Sequence, residues 1–149
     1  MAVSFFHVMS YLPTDEDFAS VIKNVHRSLD TQGVFIFDTW YGPAVLMQRP
    51  EIRVKHMKNE HVSVTRIAEP VLYENRNICE VQYDIFVRDL TSNIVKEIRE
   101  VHRMRYYFLT EMETLLKDNG FALEDAFEFF TGAELSGLTW GSCFAARKK

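Results

Sequence analysis

The side chain best suited to proton chemistry in this sequence is His7, within "SFFHVMSYL". An unperturbed imidazole titrates near neutrality, so it can take a proton from a hydroxyl or an amine. The plainer reading of His7 is a hydrogen-bonded residue at a strand end. A second group of candidates closes "GVFIFDTWY", where Asp38, Thr39, Trp40 and Tyr41 stand together. At the end of a buried strand such residues lie where α/β sheets place ligands. Trp40 and Tyr41 can stack on a bound ring, or they can simply close a core. The remaining histidines, His26, His56, His61 and His102, lack the H-x-x-x-H spacing of a metal site, and none is expected. Cys79 and Cys143 are far apart, with no C-x-x-C pattern, and read as reduced core thiols.

These residues need elements to position them. The mostly apolar run Ala2 to Met9 predicts a strand buried on both faces, the kind found in parallel sheets. "LPTDEDF" then begins a helix, with Thr14 as cap, Asp17 three residues on, and Asp15 and Glu16 favouring the positive end of the helix dipole. Phe18, Val21, Ile22, Val25 and Leu29 recur at helical spacing, so the helix runs from about Asp15 to Leu29. "DTQG" stops it, and "GVFIFDTWY" follows as a second buried strand. Strand, helix, strand spells a βαβ crossover with two parallel strands.

From Ile52 to Phe108 the pattern changes to period two. Val81, Tyr83, Ile85 and Val87 alternate with Glu80, Gln82, Asp84 and Arg88, and polar turns fall at "KNEH", "ENRN" and "LTSN". Four strands joined this way form an antiparallel meander. The last carries Arg99, Arg103 and Arg105 on one side, either a salt-bridged face or an anion site. The end returns to α/β order: "TEMETLLKDNG" predicts a short helix, with Thr110 and Glu113 as a capping box and Asn119-Gly120 as its stop. "FALEDAFEFF" and "WGSCFAARKK" are two closing strands. The whole reads as one domain over residues 1–149: a βαβ core (1–41), an antiparallel cap (42–108), and a helix plus closing β-hairpin (109–149).

Composition narrows the function classes. The chain has 149 residues, 47% hydrophobic and 26% charged, the range of a folded domain. A net charge of −4 argues against sequence-independent nucleic-acid binding, which needs a basic surface. No apolar run approaches the roughly 20 residues of a membrane span, and no secretory leader is visible. A cytoplasmic protein fits.

Taken in order, these segments resemble the C-terminal half of a class I S-adenosylmethionine-dependent methyltransferase. "SFFHVMSYL" is similar to that family's fourth strand and following turn. "LDTQGVFIFDTW" is similar to its approach to the fifth strand, and the closing hairpin to its last two. The insert from "YGPAVLMQRP" to "RMRYYF" resembles the antiparallel cap of small-molecule N- and O-methyltransferases. The resemblance implies an α/β fold, a partial Rossmann-like sheet of strands four to seven with an inserted β-meander cap. It places Phe6 and Ser10 beside the cofactor and His7 as candidate general base. Tyr11, Trp40, Tyr41, Arg105 and Tyr106, with Tyr107, then lie on the acceptor side. The family's glycine-rich loop and ribose-binding acid have no counterpart here. The expectation is therefore a truncated methyltransferase-like chain that binds S-adenosylmethionine weakly or not at all by itself.

In that family the fourth strand is central. Without the first three, Ala2–Met9 becomes an apolar edge with no charge or proline to blunt it. Two copies are expected to pair antiparallel there as a homodimer, burying on the order of 1,600 Å². Two other readings stay open. A separate cofactor-binding chain could complete an active enzyme. Alternatively the meander forms a cup for an apolar ligand, with Trp40, Tyr73, Tyr83 and Phe86 inside, a closed cavity, and no crossover starting at residue 2.

Overall fold

Thr14 starts the first helix as its residue type predicts. In the computed structural model, which describes residues 1–149, its hydroxyl accepts the Asp17 N–H at 3.1 Å and the helix α1 runs Asp15–Ser28. It crosses between the parallel strands β1 (Ala2–Ser4) and β2 (Val34–Tyr41), paired Ala2 with Phe35 through Ser4 with Phe37. The βαβ crossover is therefore present from residue 2, against the apolar-cup reading, which excluded it.

The first strand is much shorter than the expected Ala2–Met9. Phe6 and His7 take left-handed backbone angles, φ 66° and 62°, and a 3-10 turn follows at Val8–Tyr11. Two such residues in a row turn the chain out of a ladder. Nor is the strand buried on both faces: Val3 is 53% exposed and Phe6 74%.

The chain divides into two compact units, Met1–Arg49 with Met104–Lys149, and Pro50–Arg103. In the first, β2 pairs on one side with β1 and, at Trp40 and Tyr41, with the end of β6 (Val95–Tyr107). On its other side it pairs antiparallel with β8 (Gly141–Lys148), which in turn pairs with β7 (Phe121–Glu128). Phe18 and Ile22 of α1 pack on this sheet with Phe35, Phe37, Tyr107 and Phe144, all almost completely buried. Phe35 and Phe37 stack with ring centroids 4.7 Å apart. Burial of this kind is the main stabilising term, about 1.5–3 kcal/mol for each large apolar side chain.

The helix α2 (Gly42–Gln48) follows β2 directly, with Pro43 in its first turn. A Cβ at Gly42 would lie 2.6 Å from the tip of the Phe108 ring, so any other residue there would displace that ring. The helix α3 (Leu109–Asp118) begins two residues earlier than expected: Glu111, not Glu113, accepts the Phe108 N–H at 3.2 Å. Phenylalanine has no side-chain acceptor, so only half of a capping box exists. Thr110 is already inside the helix. Gly120, with φ +83°, ends it after Asn119 as predicted.

The second unit is the meander. β3 (Arg53–Lys58), β4 (Val62–Tyr73), β5 (Ile78–Asp89) and β6 follow one another as neighbours. β4 and β5 pair without a break from Val62 with Asp89 to Tyr73 with Ile78. The stretches α2 and Met104–Phe108, placed in the cap from sequence, fall within the first unit, where Tyr106 and Tyr107 pair with Trp40 and Tyr41 of β2. No helix is long and apolar enough to cross a membrane.

Candidate functional site

The left-handed pair Phe6–His7 has a purpose visible in its contacts. It aims the His7 N–H at the fully buried Asp38 carboxylate, 3.1 and 3.0 Å from its two oxygens. The imidazole Nδ1 also lies 2.7 Å from Asp38 Oδ2. The ring is not aligned for a directed hydrogen bond there, so this contact is an electrostatic one. Asp38 thus holds His7 by backbone and ring together, and the side chain remains 33% exposed. A carboxylate beside an imidazole helps to fix the orientation of the ring, as general-base work requires.

Asp38 sits in β2 opposite Cys143 of β8. Burial, and secondarily the negative charge of Asp38, push the Cys143 thiol up to about 11. Burial alone takes Cys79 to about 11 as well. Both thiols are buried and protonated at neutral pH, as structural cysteines are.

Ser10 is fully buried, and its hydroxyl accepts the Trp40 N–H at 2.9 Å, joining the 3-10 turn to the end of β2. Trp40 meets Trp140 edge to face at 5.9 Å, and the Trp140 indole N–H donates to Gln48 at 2.7 Å. Tyr41 is buried, which raises its phenol above the ordinary value. Tyr11 and Phe6 are exposed. The residues expected from sequence at the first two strand ends, Phe6, His7, Ser10, Tyr11, Trp40 and Tyr41, therefore do gather in one region. Asp38 and Ser10 are the two links between the strand ends.

Arg105 does not join them. Its buried guanidinium bonds Asp15 at 2.6 Å and Glu111 at 2.5 Å, and lies 4.7 Å over the Tyr107 ring. Burial alone would lower its pKa, and the bonds to Glu111 and Asp15 more than offset that. Tyr107 is pushed far above the phenol range by burial, with Arg105 opposing, and donates to the Leu12 carbonyl at 2.9 Å. The acceptor-side place expected for Arg105 is thus taken by a structural tie among β6, α1 and α3. Tyr106 is fully buried opposite Trp40 in the ladder. Arg99 pairs with Asp84 and Glu97, and Arg103 with Glu80, so the arginine row is a salt-bridged face.

Three residues around the Phe6–His7 pair escaped the sequence reading. Phe129 and Phe130 lie beyond the end of β7, where a continued strand was expected. Phe129 packs 5.4 Å from Phe5 and 6.4 Å from the His7 ring, and Phe130, at φ 75°, is 84% exposed. Gly141 seats the imidazole: a Cβ there would lie 3.1 Å from His7 Cε1. The "TG" that follows, with Gly132 at φ 72°, was the available sign that the strand ended early.

This combination of crossover, closing antiparallel hairpin and meander is the fold of S-adenosylmethionine-dependent methyltransferases, covering about 57% of the length of the first such structure below. That structure is a methyltransferase of this kind from Clostridium acetobutylicum, matched over 99% of this chain at 20% identity and TM-score 0.80. An amino pentose methyltransferase of calicheamicin biosynthesis from Micromonospora echinaspora matches over 99% of this chain and 58% of its own, at 16% identity and TM-score 0.73. A sugar N-methyltransferase from a Streptoalloteichus species matches over 99% and 56%, at 16% identity and TM-score 0.75. No protein-family model and no curated protein sequence matches the chain.

Proposed function

We propose that the chain is the acceptor-side part of a small-molecule N- or O-methyltransferase, with His7 as general base and Asp38 as the residue that orients it. The observation that carries this reading is the clamp of His7 by a fully buried carboxylate at the carboxyl end of the crossover. His7 Nε2 would take the proton of the acceptor hydroxyl or amine as that atom attacks the methyl group of S-adenosylmethionine. Phe6 and Ser10 lie toward the cofactor in this reading, and Tyr11, Trp40 and Tyr41 toward the acceptor. The two similar sugar methyltransferases favour a small, polar acceptor.

Methyl transfer depends on holding the sulfonium in line with the acceptor. The glycine-rich and acidic cofactor motifs are not among these 149 residues, so the chain alone is expected to bind S-adenosylmethionine weakly and to lack turnover. Calorimetric titration with S-adenosylmethionine and S-adenosylhomocysteine tests this. A Kd tighter than about 100 μM, about −5.5 kcal/mol, would show a self-sufficient cofactor site and overturn the dependent reading.

The edge of β1 is the second part of the proposal. Its ladder is made with β2 alone, and Met1, Val3, Phe6 and Val8 are exposed beside it. We infer that a second copy pairs there antiparallel when the chain is isolated. Sedimentation at micromolar concentration is expected to show a dimer that Val3→Lys converts to monomer. Only monomer in the unaltered chain would reject self-association. The coverage of only 56–58% of each of the three similar structures favours the other completion, by a cofactor-binding segment. Restored S-adenosylmethionine binding on mixing with such a segment would select it.

A further inference from the structure

The register of the second unit's sheet gathers positive charge on one face. Lys55 stands directly opposite Arg66 and Arg53 opposite Ala68, while Arg66 opposes Ile85 and Ala68 opposes Tyr83. Directly opposed residues share a face, so Arg53, Lys55 and Arg66 surround Tyr83. Like charges placed opposite each other destabilise an antiparallel pair. The sheet keeps this pair without a local acid to relieve it.

The acids are elsewhere or occupied. Glu69, Glu80 and Asp84 oppose Gln82, Val71 and Ile67, which puts them on the other face. There Glu80 pairs with Arg103 and Asp84 with Arg99. Two acids share the cationic face. Asp89 accepts the N–H groups of Thr91 and Ser92, both at 2.8 Å. Glu100 lies 3.1 Å from His102, whose ring meets Tyr83 edge-on at 5.0 Å.

Arg66 itself lies with its guanidinium carbon 5.3 Å over the Tyr83 ring, and its Nε is buried with no acceptor. An arginine held over an aromatic ring is restrained in where its donors point, and an unmet buried donor is costly. We propose that this face binds the oxyanion of a small molecule, a carboxylate or a phosphate. The unpartnered Arg66 guanidinium and the Lys55 ammonium donate to it, Arg53 adds charge at the rim, and Tyr83 is the shelf that fixes Arg66. The site does not depend on the methyl-transfer reading, since it lies wholly within the meander.

The test uses the full chain and follows the arginine Nε–H resonances by NMR, with inorganic phosphate and benzoate titrated separately at constant ionic strength. Arg66 is expected to shift saturably in the millimolar range with at least one probe. Which probe acts separates phosphate from carboxylate ligands. Lys55→Gln, an exposed substitution, is expected to weaken binding about tenfold, the loss of one charge-assisted donor. Arg99→Gln, on the opposite face, leaves it unchanged. A linear drift shared by Arg66 and Arg99 with both probes, or unaltered binding in Lys55→Gln, overturns the proposal.

Discussion

Replacing Asp38 by alanine should loosen the first unit by a measurable amount. The fully buried carboxylate accepts the His7 N–H with both oxygens and faces the imidazole at 2.7 Å. A hydrogen bond to a charged group contributes about 1.5–3 kcal/mol. The ring contact adds less, because His7 is a third exposed and solvent screens it. The net loss should be about 2 kcal/mol, or about 1 M in urea midpoint for a slope near 2 kcal/mol/M. Trp40 and Trp140, both in this unit, report the transition by fluorescence. Asp38→Asn keeps one acceptor oxygen and should lose about half as much. The His7 amide should also lose its hydrogen-exchange protection in the alanine variant. An unchanged midpoint with a still-protected His7 amide would refute the clamp. So would a gain in stability for Asp38→Asn, since the carboxylate would then be an uncompensated buried charge.

Arg105→Met removes the cation shared by Glu111 and Asp15 and should cost about 2–3 kcal/mol, less than the roughly 3–5 of a fully buried pair because Asp15 is mostly exposed; chemical denaturation measures it, and a neutral result would mean the tie contributes nothing. Cys79 and Cys143, both raised to about 11, should resist alkylation at pH 8 in the folded chain and react once it is unfolded, as mass spectrometry will show. The Asp89 carboxyl is held below its ordinary value by the N–H groups of Ser92 and Thr91. Its contribution is therefore present above about pH 4, the unfolded carboxylate value, and is lost as pH falls through the lower folded value. Amide exchange at Thr91 and Ser92 should lose protection in that acid window and nowhere above it.

Much of the fold was legible because it rests on local chemistry. Thr14 and Asp17 write the start of α1, Asn119-Gly120 writes the end of α3, and the alternation around Val81–Val87 writes a meander strand. These signals act within one turn or one ladder, so composition and spacing contain them. His7 was likewise visible as the one side chain with suitable proton chemistry near a strand end.

What the linear sequence left undetermined was decided by partners distant along the chain. The first strand breaks after Ser4 because Asp38, 31 residues beyond His7, captures that residue's N–H and ring. Arg105 is a structural tie because Asp15, 90 residues before it, comes within 2.6 Å. Phe129, Gly141 and the Lys55–Arg66 opposition acquire meaning only through register. Residue type and periodicity set which elements form, since those depend on neighbours a few bonds away. Which charge meets which partner depends on how the elements pack, and there a buried carboxylate or an unmet guanidinium carries more energy than any local propensity.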